Sequence, residues 1–96
     1  MIILNKPIRF NWDKSNSGKN WTGHKVADQE CEEVFFDNGK KILKDLLHSG
    51  KEERYILLGK TKQQRLLFIV FTTRGVKVRV ISARDINKKE NKLYHG

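Results

Sequence analysis

The sequence predicts an α+β domain: two short N-terminal helices, a largely antiparallel sheet of four to five strands, and a C-terminal helix. Three observations carry that reading. Apolar residues recur at helical spacing between positions 29 and 36 and again after position 85. From Arg54 to Ile81 they alternate or run unbroken, in segments separated by short polar turns. Helices, then consecutive strands joined by short loops, then a helix is an order that favours antiparallel neighbours, because crossover connections between parallel strands need about a dozen residues or more. The 96 residues leave room for one domain.

Residues 1–7, ending at Pro7, read as a flexible leader. Ile8-Arg9-Phe10-Asn11-Trp12 alternates apolar and polar side chains, as a short strand does. Asp13 is placed to cap a helix over 14–21, although Ser15, Asn16, Ser17 and Gly18 are weak helix formers. Trp21 to Lys25 reads as a turn. Asp28 caps a second helix over 29–36, with Cys31, Val34 and Phe35 on one stripe and Glu30, Glu32 and Glu33 turned outward. Gly39 suits the left-handed position past its end. Strands follow at 40–45, 54–59, 65–73 and 76–81, with a loop over 48–51 and turns at 61–64 and 73–75. The 65–73 segment is the most apolar and belongs at the centre of the sheet. In the last strand Val76, Val78 and Val80 face one way and Lys77, Arg79 and Ile81 the other. Ser82-Ala83-Arg84-Asp85 has the form of a capping box and would open the final helix at once, with Ile86, Leu93 and Tyr94 as its buried stripe.

Several function classes drop out. The longest apolar run, Leu66 to Phe71, is six residues, far short of the roughly 20 that a membrane span needs. The single cysteine, Cys31, excludes an internal disulfide and a multi-cysteine zinc site, and it sits on the apolar stripe as a small buried hydrophobe. A reduced, cytoplasmic protein is the simplest reading. His24, His48 and His95 lack metal-ligand spacing. Gly59-Lys60-Thr61 lacks the upstream glycine of a phosphate loop, and no hydrolase nucleophile motif occurs. No cofactor is expected.

Charge supplies the positive clue. The net charge is +9, and it is segregated. Residues 1–27 carry five basic and one acidic side chain, residues 28–53 four and eight, and residues 54–96 eleven and two. That asymmetry points to a polyanion, nucleic acid above all, met through the C-terminal half. Arginine, lysine and histidine over an open sheet face can hold a phosphodiester. Arginine clamps phosphate through paired N–H donors and stabilises charge that develops in the transition state. Histidine or a carboxylate can activate the RNA 2′-hydroxyl and protonate the leaving oxygen, which would make cleavage independent of metal. Candidate catalytic residues are Arg79, Arg84, Arg54, Arg65 and His24. Lys77, Arg74, Lys88 and Lys89 are candidates for nucleic-acid binding. Each has an ordinary alternative. Arg84 can pair with Glu90, Arg54 with Glu52 or Glu53, and Arg65 can flank an aggregation-prone strand. Trp12 and Trp21 are more natural as core than as stacking platforms.

A set of ordered motifs over residues 10–94 resembles the BrnT family, toxins of type II toxin–antitoxin systems. Phe10-Asn11-Trp12-Asp13 is similar to that family's opening Phe-x-Trp-Asp. Asn20, His24 and Val26 are similar to its Asn-x-x-Lys-His-Gly-Val segment, and Glu32-Glu33-Val34-Phe35 to the helix that follows. Glu53-Arg54 with Leu58-Gly59 resembles its Glu-Arg strand. Arg79-Val80-Ile81-Ser82-Ala83-Arg84, then Glu90 and Tyr94, resembles its closing signature. Two positions depart: Gly23-His24-Lys25 has its glycine before the histidine, and Asn91 stands where the family has arginine.

The resemblance implies a RelE-like fold and a ribonuclease that arrests translation by cutting RNA. It also implies a BrnA-type antitoxin folded onto the toxin, operator DNA reached only through that antitoxin, and a homodimer within the complex. A non-catalytic nucleic-acid- or partner-binding module is the alternative class. In either case some apolar surface should remain open on one sheet face, since Leu66, Phe68 and Val70 point opposite to Leu67, Ile69 and Phe71. The acidic segment 28–37 suits a basic partner.

Overall fold

A computed structural model describes residues 4–47 and 50–96. His48 and Ser49 of the expected loop, and the first three residues of the expected leader, lie outside the described residues. Leu4, within the rest of that leader, and Ile8, just after it, pack against the core. The elements are β1 (Arg9–Phe10), α1 (Lys19–His24), α2 (Asp28–Glu33) running into a 3-10 turn (Val34–Phe36), β2 (Lys41–Lys44), β3 (Tyr55–Lys60), β4 (Leu66–Arg74), β5 (Lys77–Asp85) and α3 (Lys88–His95). The class is α+β as expected. The sheet has five strands in the order β1-β5-β4-β3-β2. Strands β2 to β5 pair antiparallel, and β1 joins β5 in parallel, so the sheet is mixed.

One face of the sheet is closed by the N-terminal helices. Leu57, Leu67, Ile69, Phe71, Val78, Val80 and Ala83 meet Val26, Cys31, Val34 and Phe35 there, all buried. Aromatic rings run through this layer: Phe10 meets Phe35 edge-on at 5.3 Å, Phe35 meets Phe71 at 5.0 Å, and Tyr55 stacks on Phe71 at 5.5 Å. Burial pushes the Cys31 thiol up to about 12, so it stays protonated and apolar in character. Gly59 is required where β3 passes under the 3-10 turn. A Cβ there would stand 2.8 Å from the Val34 Cβ and 2.9 Å from the Val34 carbonyl oxygen.

Three expectations need correction. Residues 14–18 form turns, and helix α1 occupies 19–24, so it starts late in the expected helix and runs through most of the expected turn. Asp13 therefore caps no helix; its carboxylate accepts from the Ser15 backbone N at 2.9 Å, the local bond that lets Asp compete with helix in such segments. Asp28 is the first residue of α2 rather than its cap, and it binds the Ser17 hydroxyl (2.6 Å) and Gly18 N (3.0 Å) instead. The Ser82-Asp85 pattern opens no helix: β5 continues to Asp85, and α3 starts at Lys88 under a different box. In that box Asn87 Oδ1 accepts from Glu90 N, and Glu90 Oε1 accepts from Asn87 N, both at 2.9 Å. Tyr94 alone of the expected stripe is buried; Leu93 is exposed and Ile86 half-buried.

Gly59→Ala should lower stability by about 1–3 kcal/mol, the usual cost of forcing atoms into a filled site. Urea unfolding checks this; an unchanged midpoint would mean the turn at Val34 yields freely.

Candidate functional site

The second sheet face stays partly open. Ile56, Leu66, Phe68 and Val70 are half-buried on it, and Leu43 is exposed. Helix α3 covers one end, where Tyr94 donates its hydroxyl to Asp37 at 2.6 Å. The side chains of β5 reach this face through a register shift. Phe71 pairs with Val80 while Val70 pairs with Ser82, so Ile81 is an extra residue in β5. Five residues separate Arg79 from Arg84, and a regular strand would turn them to opposite faces. With the bulge both lie on the open face, opposite Thr72 and Phe68 of β4. At ~3.3 Å per residue they stand about 15 Å apart along the strand, too far to grip one phosphate together.

Each of these arginines is held by a carboxylate. Arg79 forms a fork with Asp13 (Nη1 and Nη2, both 3.0 Å), donates to Asn11 Oδ1 at 2.6 Å, and also donates to the Ser15 hydroxyl. Its side chain is only 12% exposed. The Arg79 hydrogen bond, with help from Ser15, holds the Asp13 carboxyl far below the usual carboxylate range. Arg84 forms a second fork with Glu90 (2.9 and 2.8 Å) and lies over the Phe68 ring at 4.0 Å from its centre. Its side chain is 37% exposed, the more accessible of the two. The Arg84 bond lowers the Glu90 carboxyl against the upward pull of burial.

Arg65 lies on the other face. Its Nε and Nη2 grip Asp85 (2.7 and 3.1 Å), its Nη1 reaches Glu30 (3.1 Å), and it donates to the carbonyls of Lys25 (2.9 Å) and His24 (3.3 Å). It ties the end of α1 and the start of α2 to the end of β5. His24 is the last residue of α1 and exposed, and its carbonyl accepts from the same Arg65 guanidinium that grips Asp85. It therefore sits beside the Arg84 end of β5. Lys25, which follows it, takes the left-handed conformation that a glycine often supplies past a helix end, at φ 57°.

Arg54 precedes Tyr55, which pairs with Phe71, so its backbone stands level with Thr72 and, across β4, with Arg79. Arg74 and Lys77 flank the β4–β5 hairpin, where Arg74 pairs with Glu52 at 2.7 Å and Lys77 is exposed. Lys88 and Lys89 are exposed in the first turn of α3. The candidates thus form two groups on the open side, around Arg79 and around Arg84, with Arg65 and His24 at the second group's far flank.

Residue-by-residue reading missed two features. Asn16 Nδ2 donates to Val80 O (3.1 Å), and Asn20 Oδ1 accepts from Ala83 N (2.9 Å), so two buried amides replace a neighbouring strand along the edge of β5. The weak helix formers around Asn16 were the available signal. Trp21 was expected in the core and is 52% exposed.

The family model for BrnT, the ribonuclease toxin of type II toxin–antitoxin systems, matches residues 12–90. The chain belongs to the BrnT family. Comparison with curated proteins gave no match. The span of this BrnT chain that matches includes Asp13, Arg79, Arg84 and Glu90. Among the described residues no helix is long and apolar enough to cross a membrane.

Stability should fall on acidification, and the Glu90 fork gives the slope. Glu90 lies below its ordinary 4.5 in the folded state, so its contribution is complete above that pH and is lost as pH falls through the lowered folded value. Glu90→Gln keeps the shape of the α3 cap and removes the charge. It should be less stable than wild type near neutrality and show a shallower loss towards about pH 3. Urea midpoints across that range check this; parallel curves would mean that the fork adds nothing.

Proposed function

We propose that this chain is an active, metal-independent endoribonuclease that cuts RNA in the cytoplasm and so arrests translation. The observation that carries the reading is the pair of preorganised arginines, Arg79 and Arg84, on one open face of a chain from a ribonuclease-toxin family. Their spacing favours an RNA strand lying along β5 with non-adjacent phosphates at the two guanidiniums. Arg54, Arg74 and Lys77 strengthen the field at the Arg79 end, and Lys88 and Lys89 at the other.

Cleavage is assigned to the Arg84 end. The RNA 2′-hydroxyl attacks the adjacent phosphorus, the bond to the 5′-oxygen breaks, and a 2′,3′-cyclic phosphate and a 5′-hydroxyl result. His24 takes the 2′ proton, and the departing oxygen regains one. Arg84 meets the charge that builds on the phosphoryl oxygens. Arg65 acts as a positioning residue by holding the carbonyl of His24. A BrnA-type antitoxin covers this side in the complex, which binds operator DNA through the antitoxin and contains two toxin copies. The half-open apolar residues Ile56, Phe68 and Val70 support a partner with apolar side chains, and a separate open groove of about 1000 Å³, where Glu32, Glu33 and Asp37 stand with Lys60 and Lys62, offers it polar contacts of both signs.

Purified protein should cut single-stranded RNA with EDTA present. Arg84→Ala should cost on the order of 10²–10³ in rate, the usual loss of one transition-state charge donor, and Arg79→Ala, at the other end of the strand, should weaken RNA binding more than the cleavage step, with thermal melting as the control for folding. Cleavage that vanishes in EDTA would remove the metal-independent step. Wild-type rates in both variants would move the site away from β5.

A further inference from the structure

Two large aromatic side chains are strongly exposed among the described residues, Trp21 and Phe36. Phe36 lies along a groove of mixed charge, where Glu32, Glu33 and Asp37 stand with Lys60 and Lys62. Trp21 has a cation against its ring. The Lys25 ammonium stands over its ring, 5.5 Å from the centre. His24 adjoins Lys25, Lys19 opens the same helix, and residues 1–27 hold five basic side chains against one acid.

Helix geometry fixes where the indole points relative to the candidate site. Asn20 faces β5 through its bond to Ala83 N. At 3.6 residues per turn, His24 lies about 40° round the helix from Asn20 and Trp21 about 100°, both in one sense, and Lys25, just past the helix end, places its ammonium over that indole. A path thus leads from the end of β5 through His24 to the indole and its lysine. An exposed indole accepts any base, because every base has a π-face, and a neighbouring cation meets the phosphate of the stacked nucleotide.

We infer that Trp21 is a base-stacking subsite, holding one nucleobase of a single-stranded RNA beyond His24 while the strand continues onto β5. The inference rests on the RNA-binding reading above but does not need cleavage. Charge complementarity favours RNA over an apolar protein segment as the occupant.

The probe is a fluorescein-labelled octamer of 2′-O-methyl uridine, in which the nucleophile is blocked, followed by polarisation at low salt. Indole fluorescence is read with the same octamer unlabelled. Wild type should bind with quenching of indole emission. Trp21→Leu should weaken binding about tenfold, the scale of one lost base stack, and lose most of the quenching. Trp21→Tyr should stay close to wild type, which a purely apolar contact would not predict over leucine. Thermal melting shows whether both variants fold. Wild type that fails to bind, or Trp21→Leu that binds and quenches as wild type does, overturns the subsite. So does a Trp21→Leu variant that binds RNA normally and loses only the protein encoded beside it, since that would make the surface a protein-docking one. Stacking in a protein that leaves native RNA uncut would remove the ribonuclease reading and keep the subsite; cleavage unaffected by Trp21→Leu, together with unchanged binding, would do the reverse.

Discussion

The extra residue Ile81 in β5 controls the orientation of every group after it. Strand side chains alternate, so a core set at Val78 and Val80 continues at 82 and 84 in a regular strand and puts Arg84 into the helix-covered layer. An unpaired guanidinium there would carry a desolvation cost of several kcal/mol. With Ile81 unpaired, Ala83 takes the core position and Arg84 joins Arg79 outside. The small Ala83 also lets α1 come close enough for the Asn20 amide to bond its N–H. The bulge, the approach of α1 and the placement of both arginines are therefore one structural solution.

This explains what the sequence made legible. Strand periodicity showed β3, β4 and the valine face of β5, because buried alternation needs only local pattern. The bulge is invisible to period-2 reading, and it made Ser82-x-x-Asp85 look like a cap. The real cap, Asn87-x-x-Glu90, has the same chemical form two residues after the end of β5. Two boxes so close cannot be ranked by local chemistry; pairing with β4 out to Asp85 decides between them. Likewise α1 is a poor helix by propensity, with Thr22 and Gly23 inside it. Its stability comes from the Asn20 bond and the hold of Arg65 on its last carbonyls, contacts that join residues far apart in the chain.

Of the candidate residues, the arginines on the open face were found by charge and by family motif, but their partners changed the meaning of the charge. A net +9 suggests a loose basic surface. Arg79 and Arg84 instead sit in bidentate forks, and such pairs fix geometry as well as charge. An arginine held in place loses less side-chain entropy when a phosphate arrives, the advantage that preorganisation gives a binding site. The exposed lysines serve another purpose: attraction at a distance, sensitive to salt.

The two faces of the sheet divide these tasks. On the helix side Arg65 is saturated by Asp85, Glu30 and two carbonyls, so its fork has become a structural joint. On the open side Arg79 has both terminal nitrogens committed to Asp13, Asn11 and Ser15, while Arg84 keeps Glu90 as its carboxylate partner and an edge towards solvent that an anion can enter. Glu90 and Asp13 come from opposite ends of the chain, α3 and the loop after β1, so the site is complete only when both termini have docked on β5. The family match runs from Trp12 to Glu90 and so takes in both acids. The matched span thus carries the carboxylate partners of both guanidiniums, while Asn11, the further partner of Arg79, lies just before it.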